Sequence, residues 1–195
     1  MPSSDIRDIL VHDVHVGKKQ QHPPSSSHVE RVLVYILPGN PGLISFYEPF
    51  ANGLVSLLKA GNSADKAAIR ICGKSYRGFE VATSEKTQGE ADTDGGPCMF
   101  GLADTIAACA RDVESFADPD PSGPPTKVIL IGHSIGAYIL LELLARRTEL
   151  KRVDLIGGIL VFPTVTYIAR SRLGRIITVC FPCFSSSLSN YVGRY

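Results

Sequence analysis

The sequence predicts an α/β fold built on a doubly wound, mostly parallel sheet. Short apolar, β-branched runs at residues 31–37, 67–72, 128–131 and 153–162 alternate with stretches of helical period. That order places crossover helices against a parallel sheet. One run passes through Gly132-His133-Ser134-Ile135-Gly136 into a helical pattern, so a strand, a sharp turn and a helix follow without a linker. An apolar fraction of 44% and a charged fraction of 20% over 195 residues suit a single globular core.

Residues 1–30 are polar and rich in Ser, His, Gln and Pro. Within them residues 9–16 alternate apolar and polar side chains enough to be an edge strand or a hairpin arm, and residues 20–28 read as a loop. His12 and His15 have no carboxylate or cysteine at ligand spacing and read as solvent-facing. Residues 31–37 form a buried strand, ended by Pro38-Gly39-Asn40-Pro41-Gly42. The spacing of Phe46, Phe50, Leu54, Leu57 and Leu58 predicts a helix over 45–58 with those residues on its apolar side, stopped by Gly61. A strand at 67–72 leads to a Gly/Thr/Ser-rich loop over 73–97. Its Asp92-Thr93-Asp94-Gly95 lacks the third Asp and the closing Glu of a calcium loop. Helical period returns over 99–116 with Phe100, Ile106, Cys109, Val113 and Phe116 on the apolar side. A proline-rich connection at 118–125 then reaches the strand before Gly132. Arg146, Arg147, Lys151 and Arg152 crowd the end of the following helix, where the dipole favours cations. Residues 153–162 read as another buried strand. The chain divides into a polar segment (1–30), a core (31–162) and an apolar, cap-like segment (163–195).

A net charge of +1 offers no electrostatic footprint for nucleic acid. Beyond Leu155 the only charges are Arg170, Arg172, Arg175 and Arg194. The N-terminus has no apolar signal core, so the five cysteines are expected as reduced thiols of an intracellular protein. Cys180-Phe181-Pro182-Cys183 could be a redox pair or half a zinc site, but no second pair or nearby histidine completes one. No apolar run reaches the roughly 18–20 residues that span a bilayer. Residues 176–184 are apolar, short, broken by Pro182 and preceded by Arg172 and Arg175. Contact with a membrane interface and packing in a lid or core both stay open for them.

Gly132-His133-Ser134-Ile135-Gly136 is a G-x-S-x-G element in the context that gives it chemical meaning. The glycines let the chain turn tightly, the turn lifts the Ser134 hydroxyl above the sheet edge, and the helix N-terminus faces the place where an oxyanion forms. Such serines are followed in chain order by an acid and a histidine in α/β-hydrolases. Here no Asp, Glu or His follows Asp154, and all five histidines lie at or before His133. The sequence provides a nucleophile and no base to take its proton. His133 stands beside the serine, but adjacent side chains at such a turn diverge, so it reads as structural. Tyr138 reads as packing.

Three blocks together carry a resemblance. They are Leu37-Pro-Gly-Asn-Pro-Gly-Leu-Ile-Ser-Phe-Tyr-Glu-Pro-Phe50, Ile131-Gly-His-Ser-Ile-Gly-Ala-Tyr138 and Leu160-Val-Phe-Pro-Thr-Val-Thr-Tyr-Ile-Ala169. In this order and spacing, over residues 31–170, they resemble the lipid droplet-associated hydrolase family of α/β-hydrolases. The resemblance implies a serine hydrolase of neutral-lipid esters, such as sterol esters or triacylglycerols. It implies no metal or cofactor, and a place at lipid droplets, the endoplasmic reticulum membrane surface and the cytoplasm. Two blocks depart from the family: Ala169-Arg-Ser-Arg-Leu-Gly174 stands where a Ser-Pro-Asn-Gly run is usual, and Lys74-Ser-Tyr-Arg-Gly78 where His-Ala-Gly-His is usual. The missing acid and base imply that the C-terminal part of the fold is missing, as in a truncated member, and that this form is inactive.

Ser134 is the expected nucleophile. The backbone N–H of Ile135, the residue after it, is one oxyanion donor. Pro38 and Pro41 have no N–H. Laid on the His-Gly-x-Pro-Gly pattern of many hydrolases, Asn40 supplies the second donor from its backbone N–H, and Gly39 allows the close approach. Two other readings stay open: a non-catalytic protein of lipid-droplet or membrane surfaces that keeps the elbow as scaffold, and a thioesterase or acyltransferase using the same serine.

Overall fold

A computed structural model describes residues 8–16, 30–61, 67–79, 100–117, 124–150 and 153–164. All of these except Thr164 belong to one compact unit, Met1–Pro163. Five strands form one sheet: β1 (Ile9–Val16), β2 (Glu30–Leu37), β3 (Ala67–Lys74), β4 (Thr126–His133) and β5 (Val153–Val161), in the order β1-β3-β2-β4-β5. Strands β3, β2, β4 and β5 run parallel, and β1 pairs antiparallel with β3 at one edge. The alternating pattern of 9–16 is therefore the edge strand that its period predicts.

Helix α1 (Glu48–Ala60) follows β2, α2 (Leu102–Phe116) follows β3 and α3 (Ile135–Ala145) follows β4. Successive residues of a strand point to opposite faces, and β2 divides its side chains accordingly. Leu33, Tyr35 and Leu37 join Ile106, Cys109 and Val113 of α2 and Ile139, Leu140 and Leu143 of α3 in one core. Val34 and Ile36 join Ile44 and Ala51 in a second core on the other face, with Leu54, Val55 and Leu58 packed on it. Helices thus cover both faces, and the sheet is doubly wound. Among the described residues no helix is long and apolar enough to cross a membrane.

Several expectations need correction. The helix expected over 45–58 is a 3₁₀ turn, Ile44–Tyr47, followed by α1 with a proline in its first turn. Within α1, at 3.6 residues per turn, the core face centres on Ala51, Leu54, Val55 and Leu58, while Phe50 and Leu57 fall to one side of it and are exposed, as is Phe46 in the 3₁₀ turn. Phe100 lies outside α2 and is exposed, although Ile106, Cys109 and Val113 are buried as expected. Strand β3 runs two residues beyond Cys72, to Lys74. Residues 153–161 do form a strand, but not a buried one. Among the described residues β5 pairs with β4 alone, and Ile156, Ile159 and Leu160 are exposed. Composition cannot separate a central from an edge parallel strand, since both are rich in Ile, Val and Leu. The calcium-like stretch at 92–95, the connection at 118–123, the loop at 20–28, the Cys-x-x-Cys pair and residues 165–195 lie outside the described residues.

Candidate active site

The first three parallel strands bring their carboxyl ends to one rim of the sheet, and the motif residues meet there. Strand β4 ends at His133, and α3 begins at Ile135 with Ser134 as its N-cap. Ser134 has φ 53° and ψ −118°. A non-glycine residue in such a conformation stores about 1–3 kcal/mol of strain. The surroundings hold it there. The Ser134 N–H donates to the Val161 carbonyl at 3.0 Å, and its carbonyl accepts from the Ala137 N–H at 3.0 Å. The two motif glycines are packing requirements. A Cβ on Gly132 would lie 2.5 Å from the Gly136 carbonyl oxygen, and one on Gly136 would overlap the Leu37 carbonyl oxygen. Helix α3 therefore presses its first turn against the end of β2, and the first N–H groups of the helix, which have no partner inside it, open beside Ser134.

The loop after β2 lies against this turn. A Cβ on Gly39 would stand 3.0 Å from Ser134 Cβ and 2.5 Å from His133 Nδ1, so glycine is what permits the approach. Tyrosines fasten the loop on two sides. The Gly39 N–H donates to Tyr47 Oη at 2.7 Å, and the same oxygen lies 2.7 Å from His133 Nδ1. Tyr76 Oη donates to the Pro38 carbonyl at 2.7 Å, and the Tyr76 N–H donates to the Gly42 carbonyl at 2.9 Å. Gly42, at φ 84°, closes the turn by donating to the Gly39 carbonyl at 2.6 Å. Below it the Ile44 N–H donates to Ser75 Oγ at 3.1 Å. Burial raises the pKa of both phenols, with the Gly39 N–H partly offsetting this at Tyr47. Both therefore keep their protons at neutral pH.

The structure thus brings Gly39 against Ser134, with Asn40 and Ile135 as their chain neighbours. Asn40 is exposed at the tip of the loop. His133 faces the loop rather than solvent, with its ring 5.9 Å from that of Tyr47 and 6.3 Å from that of Phe162. Tyr138 packs partly buried against the larger core. Sequence reasoning missed Tyr47 and Tyr76 as clasps of the loop. The only signal was their position soon after a strand end, which many surface tyrosines share. It also missed how many phenylalanines are exposed. Phe46, Phe50, Phe79, Phe100 and Phe162 are all exposed, Phe46 by 66% and Phe162 by 82%. They follow the ends of β2, β3 and β5 or, for Phe100, precede α2, where the Arg77 guanidinium sits 5.9 Å from its ring. Among the described residues no cluster of three potential metal ligands occurs.

A parallel, doubly wound sheet with a strained serine between a strand and a helix defines an α/β-hydrolase fold. The family model for lipid-droplet associated hydrolases matches residues 30–195, and the chain belongs to that family. It is similar to the lipid droplet-associated hydrolase of Homo sapiens, 32% identical over 152 residues that cover 76% of this chain and 42% of the relative. The Pongo abelii protein of the same name is 29% identical over 168 residues, covering 83% of this chain and 47% of the relative. The chain spans under half the length of these relatives. A structure described as a fungal esterase from Rhizomucor miehei aligns over 90% of this chain and 50% of its own, at 12% identity and a TM-score of 0.45.

Proposed function

We propose that these residues carry the nucleophile and the oxyanion side of a serine hydrolase acting on neutral-lipid esters at a lipid-droplet or membrane surface. The observation that carries this is Ser134, held at φ 53° at the N-terminus of α3 and against Gly39. In that reaction Ser134 Oγ attacks the ester carbonyl carbon while a base takes its proton. The N–H groups of Ile135 and Asn40 stabilise the oxyanion, each worth on the order of 3 kcal/mol. Collapse expels the alcohol, and water then releases the fatty acid from the acylated serine. The base is not among these residues in the order the fold requires, because no histidine follows His133 and no acid follows Asp154.

The exposed phenylalanines, with Phe162 beside His133, support a lipid rather than a small soluble ester as substrate. Imidazole supplied in solution tests this, because it can stand in for the missing base. With imidazole, release of fatty acid from emulsified trioleoylglycerol and cholesteryl oleate is expected to exceed that of a Ser134→Ala control. Activity confined to acetate esters would remove the lipid assignment. A non-catalytic lipid-surface role is the second reading, which the exposed Phe46 and Phe162 fit equally well. Under it, imidazole brings no serine-dependent release from any ester.

A further inference from the structure

The elbow and the loop after β2 are joined through one phenol. Tyr47 Oη stands 2.7 Å from the Gly39 nitrogen and 2.7 Å from His133 Nδ1. The Gly39 N–H can only donate, so it takes one acceptor direction of the oxygen. A phenol has a single proton, and His133 is the other polar group within reach of it. Each atom is satisfied when the phenol proton points to an unprotonated Nδ1 and the imidazole carries its proton on Nε2. With the proton on Nδ1 instead, the oxygen would accept twice and its own proton would have no partner among the described residues. Burial keeps the phenol protonated at neutral pH, so the proton is there to give.

Resting on the functional reading above, we infer that Tyr47 is a positioning residue: its hydroxyl links the Gly39 N–H to His133 Nδ1, locking the oxyanion loop to the elbow and leaving the Asn40 N–H as the loop's oxyanion donor. The packing agrees. Gly39 is the residue whose missing Cβ admits both His133 Nδ1 and Ser134 Cβ, so a loop that slips at Gly39 also loses its place against the serine. The lock joins residues on three separate elements, the β2 loop, the 3₁₀ turn before α1 and the end of β4. It uses no atom of Ser134.

The test is nuclear magnetic resonance on the full 195-residue chain, with the His133 ring assigned by comparison with His133→Gln. The wild-type ring is expected to carry its proton on Nε2, with the Nδ1 resonance displaced to the value of a hydrogen-bonded acceptor. In Tyr47→Phe, which keeps the ring and loses the oxygen, Nδ1 should return to its free value. The Gly39 amide should then exchange about fivefold faster, the loss of one ordinary hydrogen bond. The Asn40 amide resonance should also move. Ser134→Ala should keep the proton on Nε2, the Nδ1 resonance of a hydrogen-bonded acceptor and the wild-type exchange rate of the Gly39 amide. A wild-type ring protonated on Nδ1 overturns the lock, as does a Tyr47→Phe chain with unchanged Nδ1 and Gly39 signals. If Tyr47→Phe does not fold, the wild-type resonance alone still decides. Ser134 reactivity is not read, so an inert serine would remove the functional proposal and leave these signals as they are.

Discussion

At the scale of single residues, Ser134 and Gly39 divide the work: one accepts strain, the other makes room. Gly39→Ala would drive a Cβ to 2.5 Å from His133 Nδ1 and 3.0 Å from Ser134 Cβ. The loop must then lift away, so imidazole-supported ester turnover should fall at least about a hundredfold, one displaced oxyanion donor's worth at the lower end. Turnover equal to wild type would show that the loop does not need to touch the elbow. The thiols give a separate check. Cys72 and Cys109 are buried, and burial pushes Cys109 up to about 12 and also raises Cys72. A raised thiol pKa means less thiolate at pH 8, so both should resist iodoacetamide until the chain is unfolded in urea. Burial also favours the protonated thiols of the folded chain, so their contribution to stability is full below the ordinary thiol pKa and is lost as pH rises toward about 12. Rapid alkylation of the native chain at either position would contradict this packing. Ser134 was legible in the sequence because its whole context is local: two glycines, a strand before and a helix after. Tyr47 was not, since its partners lie 8 and 86 residues away and its neighbours say nothing about them.

At the scale of elements, the crossing of α3 over the end of β2 sets the site. Gly136 is the contact, because any side chain there meets the Leu37 carbonyl and, at 2.6 Å, the Pro38 carbonyl. Gly136→Ala should cost about 1–3 kcal/mol, the usual range for forcing a methyl into a packed contact. Its urea midpoint should drop accordingly, while Gly53→Ala, with nothing within 4 Å of the added Cβ, should not lower it. Strand periods revealed β1, β2 and β4 from the sequence because alternation or an unbroken apolar run is a local signal. The face of α1 was misread for a physical reason. Apolar spacing allowed two overlapping stripes, and the core took Ala51 and Val55 with Leu54 and Leu58 rather than Phe50 and Leu57, while Phe46 lies in the 3₁₀ turn before the helix. The exposure of β5 was beyond composition, because strand order is a tertiary property.

At the scale of the whole molecule, β5 presents Ile156, Ile159 and Leu160 at a sheet edge, with Phe162 just beyond. Exposed apolar side chains on an edge strand favour pairing with another chain, and among the described residues β5 has that character, so light scattering in plain buffer should show concentration-dependent association that mild detergent reverses. A monodisperse, cooperatively unfolding monomer would count against it. Arg170, Arg172, Arg175 and residues 176–184 should add membrane affinity, about 1 kcal/mol for each arginine near an anionic surface. Flotation with anionic liposomes should therefore weaken in a chain ending at Ala169, and equal flotation would remove that segment as the anchor. The central claim is that these 195 residues hold a formed nucleophile without its base, and p-nitrophenyl ester hydrolysis tests it most directly. In buffer alone the chain should be no faster than Ser134→Ala, and with imidazole it should exceed that control. Clear serine-dependent turnover without imidazole would contradict the claim by revealing a base already in place, and no gain with imidazole would contradict it by showing that Ser134 is not poised to react.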